Sequence, residues 1–298
     1  MPIDAAELRD CEELAMALAD YAVTEMRGRR VLAEERSTKT GPSDWVTVVD
    51  VGIEHHVRQE LLASFPDHAV VGEEFGGSGD FTAGIPLWYV DPVDGTTNFV
   101  HGLPWSSFSL ALADDVGLVL GVVADPHRGE VFSAVRGRGA RVDHELVSCA
   151  RGTDLAGGLV LSELAGTACW PGFTEMVCEL SRRECVTRVM GSSALALASV
   201  GAGRATGAIL AGFDPIDVGA GVLIAREGGA VVRAGRAVSP VLRAGGGPRD
   251  DSLGHDLLLA ARPGLVDELV NIVDVAMNSR QSAQGHPAAD VGPDSGGS

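Results

Sequence analysis

Leu87-Trp88-Tyr89-Val90-Asp91-Pro92-Val93-Asp94-Gly95-Thr96-Thr97-Asn98-Phe99 joins a short apolar run to two acids and a turn. Leu87 to Val90, rich in aromatic and β-branched side chains, reads as a buried strand. Pro92 has no amide hydrogen to give a sheet ladder, so the chain is expected to leave the sheet where Asp91 and Asp94 begin. Gly95, Thr96 and Thr97 then bring free amides and hydroxyls, and a helical turn starting there would aim its amides outward at the positive end of a dipole. Two hard oxygen ligands beside an anion cradle suit a divalent cation holding a phosphate. The same residue types also make ordinary turns, so the flanking chain has to decide between the two readings.

Upstream, Ala69-Val70-Val71-Gly72-Glu73-Glu74 repeats the pattern of a buried strand running into acids. Both strand ends are expected to lie together at a sheet edge, where α/β ligand sites gather. Glu74 to Gly84 is Gly-rich and reads as a loop. Before it, Trp45 to Val49 is apolar and ends at Asp50, a candidate cap for a helix carrying Ile53, Val57 and Leu61. Lys39 is the only lysine among 23 basic residues, which marks it as a possible site residue. Residues 4 to 28 place Leu8, Cys11, Ala15, Leu18 and Ala22 at helical spacing behind a potential Asp4 cap.

Downstream, Ser106 to Ala113, Gly117 to Ala124 and Glu130 to Val135 read as an antiparallel meander. Gly137-Arg138-Gly139 follows a hairpin and opens no helix, so it is no dinucleotide loop. From about residue 150 strands and helices alternate: strands at Leu159 to Leu161 and Val186 to Val189, helices at Phe173 to Leu180 and Ser192 to Val200. Gly191-Ser192-Ser193 is either an ordinary helix cap or a second reader of anions or hydroxyls. Ala208 to Leu210 reads as a strand leading to a glycine-alanine helix with Asp217 in its first turn, there as a dipole partner or as a ligand. A last strand at Asp256 to Ala261 and a helix at Leu265 to Ala276 precede a polar tail beyond Asn278.

Composition narrows the function. The net charge of −18 argues against general nucleic-acid binding, which needs a basic footprint. An acidic protein binds phosphate only where cations reverse the local sign. Cys11, Cys149, Cys169, Cys178 and Cys185 form no CxxC pairing, which favours reduced thiols over a zinc site or a disulfide framework. No apolar run approaches the ~20 residues of a membrane span, so no membrane partner and a cytoplasmic location are expected. Hydrophobic content of 45% over 298 residues allows one large domain or two smaller ones sharing a sheet system.

In chain order, Lys39 with Asp44 to Asp50, Gly72-Glu73-Glu74, Asp91 to Phe99, Arg188 to Ala194 and Asp217 to Gly221 resemble the inositol monophosphatase family of magnesium-dependent phosphomonoesterases. The likeness runs from about residue 5 to 275. It implies a layered αβαβα sandwich: an α+β half over 1–150 with the metal motifs, an α/β half over 151–277 with substrate-reading segments, and a disordered tail over 278–298. It implies Glu73, Asp91, Asp94, Asp217 and the Val93 carbonyl as Mg²⁺ ligands. Asp50, Thr96 and Glu73 would be catalytic, with Asp50 and Thr96 activating water. The Gly95 and Thr96 amides would hold phosphate, Gly191, Ser192 and Ser193 would contact substrate, and a homodimer is expected. Ile216 stands where the family usually has Trp, and Leu210 or Ala211 where inositol-reading members carry a glutamate. A carboxylate suits polyol hydroxyls and an alkyl group does not. Inositol 1-phosphate is the default substrate, with histidinol phosphate, fructose 1,6-bisphosphate and a nucleotide 3′-phosphate as alternatives. The rival of another class is an idle family member that acts by binding a partner.

Overall fold

The computed structural model describes residues 3–29, 32, 35–39, 41–42, 44–79, 84–149, 151–164, 168–236, 239–244 and 257–284. The N-terminal part runs α1 (Ala5–Met26), β1 (Arg36–Thr38), β2 (Trp45–Thr47), α2 (Val48–Ser64), β3 (Ala69–Gly72), β4 (Gly76–Ser78), β5 (Leu87–Asp94) and α3 (Thr96–His101). The meander follows as β6 (Ser107–Asp114), β7 (Gly117–Asp125), β8 (Glu130–Val135), β9 (Ala140–Val142) and β10 (Glu145–Val147). Then come β11 (Leu159–Ser162), α4 (Phe173–Arg182), β12 (Val186–Val189), α5 (Ser193–Gly201), β13 (Gly207–Ala211) and α6 (Pro215–Glu227). The described chain closes with β14 (Val231–Arg236), β15 (Ser239–Ala244), β16 (Leu257–Ala261) and α7 (Val266–Gln284).

Side-chain alternation turns these elements into five layers. In β6, Leu110 and Leu112 face one way, towards the buried stripes of α1 and α2, while Ala111 faces α6. In β13, Leu210 faces the middle layer and Ile209 the outer helices α4 and α7. An eight-stranded sheet, ordered β10-β9-β8-β7-β6-β5-β3-β4, therefore lies between α1/α2 and α5/α6. A six-stranded sheet, β12-β11-β13-β16-β14-β15, lies between α5/α6 and α4/α7. This is the expected αβαβα sandwich. The middle layer is thin because its helices are made of small residues: a Cβ on Gly221 would stand 2.7 Å from the Cβ of Leu197, so α5 and α6 meet almost backbone to backbone.

Three expectations are corrected. The chain does not leave the sheet at Pro92; β5 continues through Asp94, and Asp91 pairs with Ser109 while Asp94 pairs with Ser107. The missing amide is absorbed as a one-residue register shift, a bulge that re-aims both acids without ending the strand. The last helix runs on to Gln284, past the point where polar composition suggests a tail, because a helix anchored by buried Leu269, Ile272, Val273 and Met277 propagates cheaply. The third concerns 74–84: β4 lies within it and pairs with β3. Asp256, residues 80–83 and the tail from 285 fall outside the described residues.

Candidate active site around Asp91 and Asp94

Two parallel strands bring the first acids together. β3 and β5 pair with Gly72 opposite Val90, so both chains leave the ladder into a carboxylate, Glu73 beside Asp91. The Glu73 amide donates to the Val90 carbonyl at 3.3 Å. Beneath the turn, Glu54 is fully buried and accepts from the Glu74 amide at 2.6 Å and the Phe75 amide at 3.1 Å. Arg58 balances that charge at 2.8 Å and donates to the carbonyl of Gly76. This buried pair fixes the turn that carries Glu73, since breaking it would strand a charge in the core. The motif gave no hint of it; Glu54 reads only as one more polar residue on an amphipathic helix.

Asp50 is inside the first turn of α2 instead of at its cap. Thr47 is the N-cap, its hydroxyl accepting from Val49 and Asp50 amides, and the Asp50 carboxylate reaches back to the Thr47 amide at 3.0 Å. The other carboxylate oxygen accepts from the Thr96 hydroxyl at 3.3 Å, a hydroxyl that also lies 2.9 Å from the Val93 carbonyl. Burial pushes the Asp50 carboxyl up to about 6, against the pull of its Thr47 hydrogen bonds. One residue thus serves both readings, cap and site.

Asp94 is tied to the other half of the chain. Ser192 Oγ donates to it at 2.5 Å, and the amides of Ala194 and Ser193 donate at 2.8 and 3.2 Å. Ser192 is itself buried and is the N-cap of α5, so it acts through Asp94 and does not face a ligand. Of the expected second reader, Gly191 and Ser193 remain on the cavity wall. Gly95 has φ +88°, and a Cβ there would lie 2.5 Å from the Gly191 carbonyl oxygen. Asn98 locks this contact by donating to the carbonyls of Met190 at 2.6 Å and Trp105 at 2.7 Å. The position needs glycine both for its left-handed backbone and for the approach of a second backbone.

Asp217 arrives from the first turn of α6, where it completes a capping box with Asp214 by accepting the Asp214 amide at 2.8 Å. Burial, reinforced by Asp94 and Glu73, pushes its carboxyl up to about 7. Asp94 also rises to about 7 through burial, and Asp91 rises well above the ordinary range through burial and then through Glu73, Asp94, Asp217 and Asp50. The acids therefore share one electrostatic neighbourhood. Among the described residues, however, no three His, Cys, Asp or Glu side chains converge as a ready-made metal cage. The reason is visible in their partners: Asp94 is turned onto α5, Asp217 onto its own cap, and Glu73 onto Lys39.

Lys39 places Nζ 2.8 Å from Glu73 and 2.7 Å from Glu74. Burial lowers its pKa, but the hydrogen bonds to the two glutamates win and hold it above its ordinary value. A cavity of about 390 Å³ opens beside these groups, with Glu73, Asp217, Asp44 and Glu163 in its lining together with Gly95, Thr96 and Asn98. Among the described residues no basic side chain belongs to that lining. Trp45, Leu164, Val189, Ala211 and Phe213 supply its apolar wall. Leu210 is buried in the middle layer, so Ala211 is the residue of that pair on the cavity. His101, exposed, bonds the Thr97 carbonyl at 2.8 Å.

Glu163 was missed, although the rule of a strand ending in an acid applies to it a third time, in Leu159-Val160-Leu161-Ser162-Glu163. It accepts the Gly191 amide at 2.6 Å, and burial pushes its carboxyl up to about 7.

The sequence profile of the Inositol monophosphatase family matches residues 7–264. Nus factor SuhB of Pasteurella multocida is 35% identical over 245 residues, 82% of this chain and 87% of that protein. Inositol-1-monophosphatase of Mycobacterium bovis is 34% identical over 282 residues, 86% of this chain and 91% of that protein. The solved structure of Thermotoga maritima IMPase superposes with a TM-score of 0.76 at 28% identity, covering 91% of this chain and 99% of that one.

Proposed function

The chain belongs to the inositol monophosphatase family of phosphoric monoester hydrolases, and on that premise we propose that it hydrolyses a small phosphorylated polyol with the help of Mg²⁺, inositol 1-phosphate being the default substrate. The observation that carries the reading is the sign of the cavity: four carboxylates line it and, among the described residues, no base does. An anionic ester settles among such acids only where bound cations reverse the field. The carboxyls pushed up by burial and mutual repulsion fit a cation too, because a cation restores the charge that burial suppresses. Glu73, Asp91, Asp94, Asp217 and the Val93 carbonyl would hold it, and hard oxygens alone favour magnesium over zinc. Bound magnesium would offset the charge of the ester and acidify nearby water.

The chain's own groups do the rest. Thr96 Oγ1, between Asp50 and the Val93 carbonyl, orients the attacking water, and Asp50 Oδ1 takes its proton. A carboxyl near 6 suits that exchange close to neutral pH. The Gly95 and Thr96 amides hold phosphate oxygens, and the apolar wall with Gly191 and Ser193 receives the alcohol. The test is phosphate release from inositol 1-phosphate, histidinol phosphate, fructose 1,6-bisphosphate and a nucleotide 3′-phosphate, with magnesium and with chelator. Release from none of them, or release that chelator leaves unchanged, overturns the proposal.

The name of the Pasteurella relative keeps a partner-binding role in view, but a complete set of site acids and a charge of −18 favour catalysis over RNA binding. A homodimer is proposed as well. The edge strand β12 leaves Val186 43% exposed, apolar surface at a sheet edge that an isolated chain does not bury. Among the described residues no helix is long and apolar enough to cross a membrane.

A further inference from the structure

Glu163 holds an oxygen that nothing satisfies. The residue is 7% exposed and borders the cavity. One carboxylate oxygen is pinned by the Gly191 amide at 2.6 Å. The other, Oε1, is closed off from bulk water and has no hydrogen-bond partner. A buried acceptor left unmade costs about 1–3 kcal/mol, more when charged, so its presence calls for a partner that the protein alone does not provide. The cavity beside it is where such a partner enters. The wall also offers Leu164, Val189 and Phe213 for a carbon skeleton and, among the described residues, no base for a second phosphate. Ala211, at the strand end where a hydroxyl-reading glutamate was expected, supplies no acceptor side chain.

We propose that Glu163 reads the alcohol part of the substrate, its Oε1 accepting a hydrogen bond from a hydroxyl or an ammonium group on a leaving group that carries no second phosphate. The inference rests on the phosphatase reading and deepens it. Ser162 of β11 lies opposite Ile209 of the parallel strand β13, so Glu163 follows directly on β11 beside the end of β13. Burial raises the Glu163 carboxyl to about 7 against the pull of the backbone amides at 190–192.

The test is Glu163→Gln, nearly isosteric, assayed with magnesium on inositol 1-phosphate, histidinol phosphate and p-nitrophenyl phosphate, which lacks a donor. Loss of a charge-assisted bond predicts a kcat/KM lower by roughly ten- to a hundred-fold for a substrate that offers the donor. With p-nitrophenyl phosphate the change should stay within about two-fold. A larger loss on inositol 1-phosphate assigns a hydroxyl, and a larger loss on histidinol phosphate an ammonium. Equal losses on all three substrates reduce Glu163 to a support for the Gly191 turn and overturn the proposal, as does no loss on any. Should the amide variant fail to fold, Glu163→Asp carries the same comparison, because its shortened acceptor must weaken donor-bearing substrates selectively. Wild-type protein that hydrolyses none of the three substrates would instead refute the phosphatase reading itself.

Discussion

Ser192→Ala removes one hydroxyl with three partners, Asp94, the Leu195 amide and the Ser107 hydroxyl at 3.1 Å, and the structure lets its cost be worked out from the first two. Ser192 caps α5 through the Leu195 amide at 3.3 Å and donates to Asp94 at 2.5 Å, entirely out of solvent. Loss of an N-cap side chain costs about 1 kcal/mol. A hydrogen bond to a charged group is worth roughly 1.5–3 kcal/mol, and the low end applies because Asp94 keeps the Ala194 and Ser193 amides. The sum is about 2.5 kcal/mol, or roughly 5 °C in Tm for a chain of this size. Ser192→Gly separates the two parts, since glycine caps a helix at a cost of only a few tenths of a kcal/mol. It should lose about 1.8 kcal/mol, leaving about 0.7 kcal/mol between the variants. Urea unfolding followed by circular dichroism in the presence of chelator measures both without any contribution from bound metal. If the glycine variant lies within about 0.5 kcal/mol of wild type, the Ser192–Asp94 bond does not join the two halves of the chain and the reasoning fails.

Asp91→Asn should remove turnover almost completely while leaving the fold intact, and calorimetry should show weakened magnesium binding; retention of most activity would contradict the ligand assignment. Gly121→Val would set a Cβ 2.8 Å from the Ala220 carbonyl oxygen and 3.0 Å from its Cα, forcing β7 and α6 apart at a cost of about 1–3 kcal/mol or more; an unchanged denaturation midpoint would sink that packing argument. Glu163 also makes a pH prediction. Its carboxyl is raised by burial from 4.5 to about 7, so the folded protein holds a proton that the unfolded chain releases. Stability attributable to Glu163 is therefore present below pH 4.5 and declines as pH rises through about 7, by roughly 3 kcal/mol in all. Glu163→Gln should lack that decline, and a wild-type and variant difference that stays flat from pH 4 to 8 would refute it.

Much of the site was legible because its chemistry is local. A strand, a proline, two acids and a glycine lie within one short segment, and no distant contact is needed to see that Asp91 and Asp94 end a buried run. The same holds for Asp217 in the first turn of its helix and for the alternation that sorts Leu110 from Ala111. What the linear chain could not disclose was pairing. Pro92 bends β5 without ending it because β6 can absorb the shift opposite Ser107 and Ser109. Ser192 looked like a ligand reader until Asp94, far away in sequence, claimed its hydroxyl.

Sequence alone placed Glu73 just past a strand and Asp50 and Asp217 at helix starts, since backbone geometry and burial periodicity are written within a few residues. Tertiary structure alone decided which of them meet. The register of β3 on β5 sets Glu73 beside Asp91, and the passage of α5 between the sheets gives Asp94 its donors. Glu54 and Glu163 acquire their tasks only once their strands and turns are assembled, because a buried charge takes its role from the partners that folding brings to it.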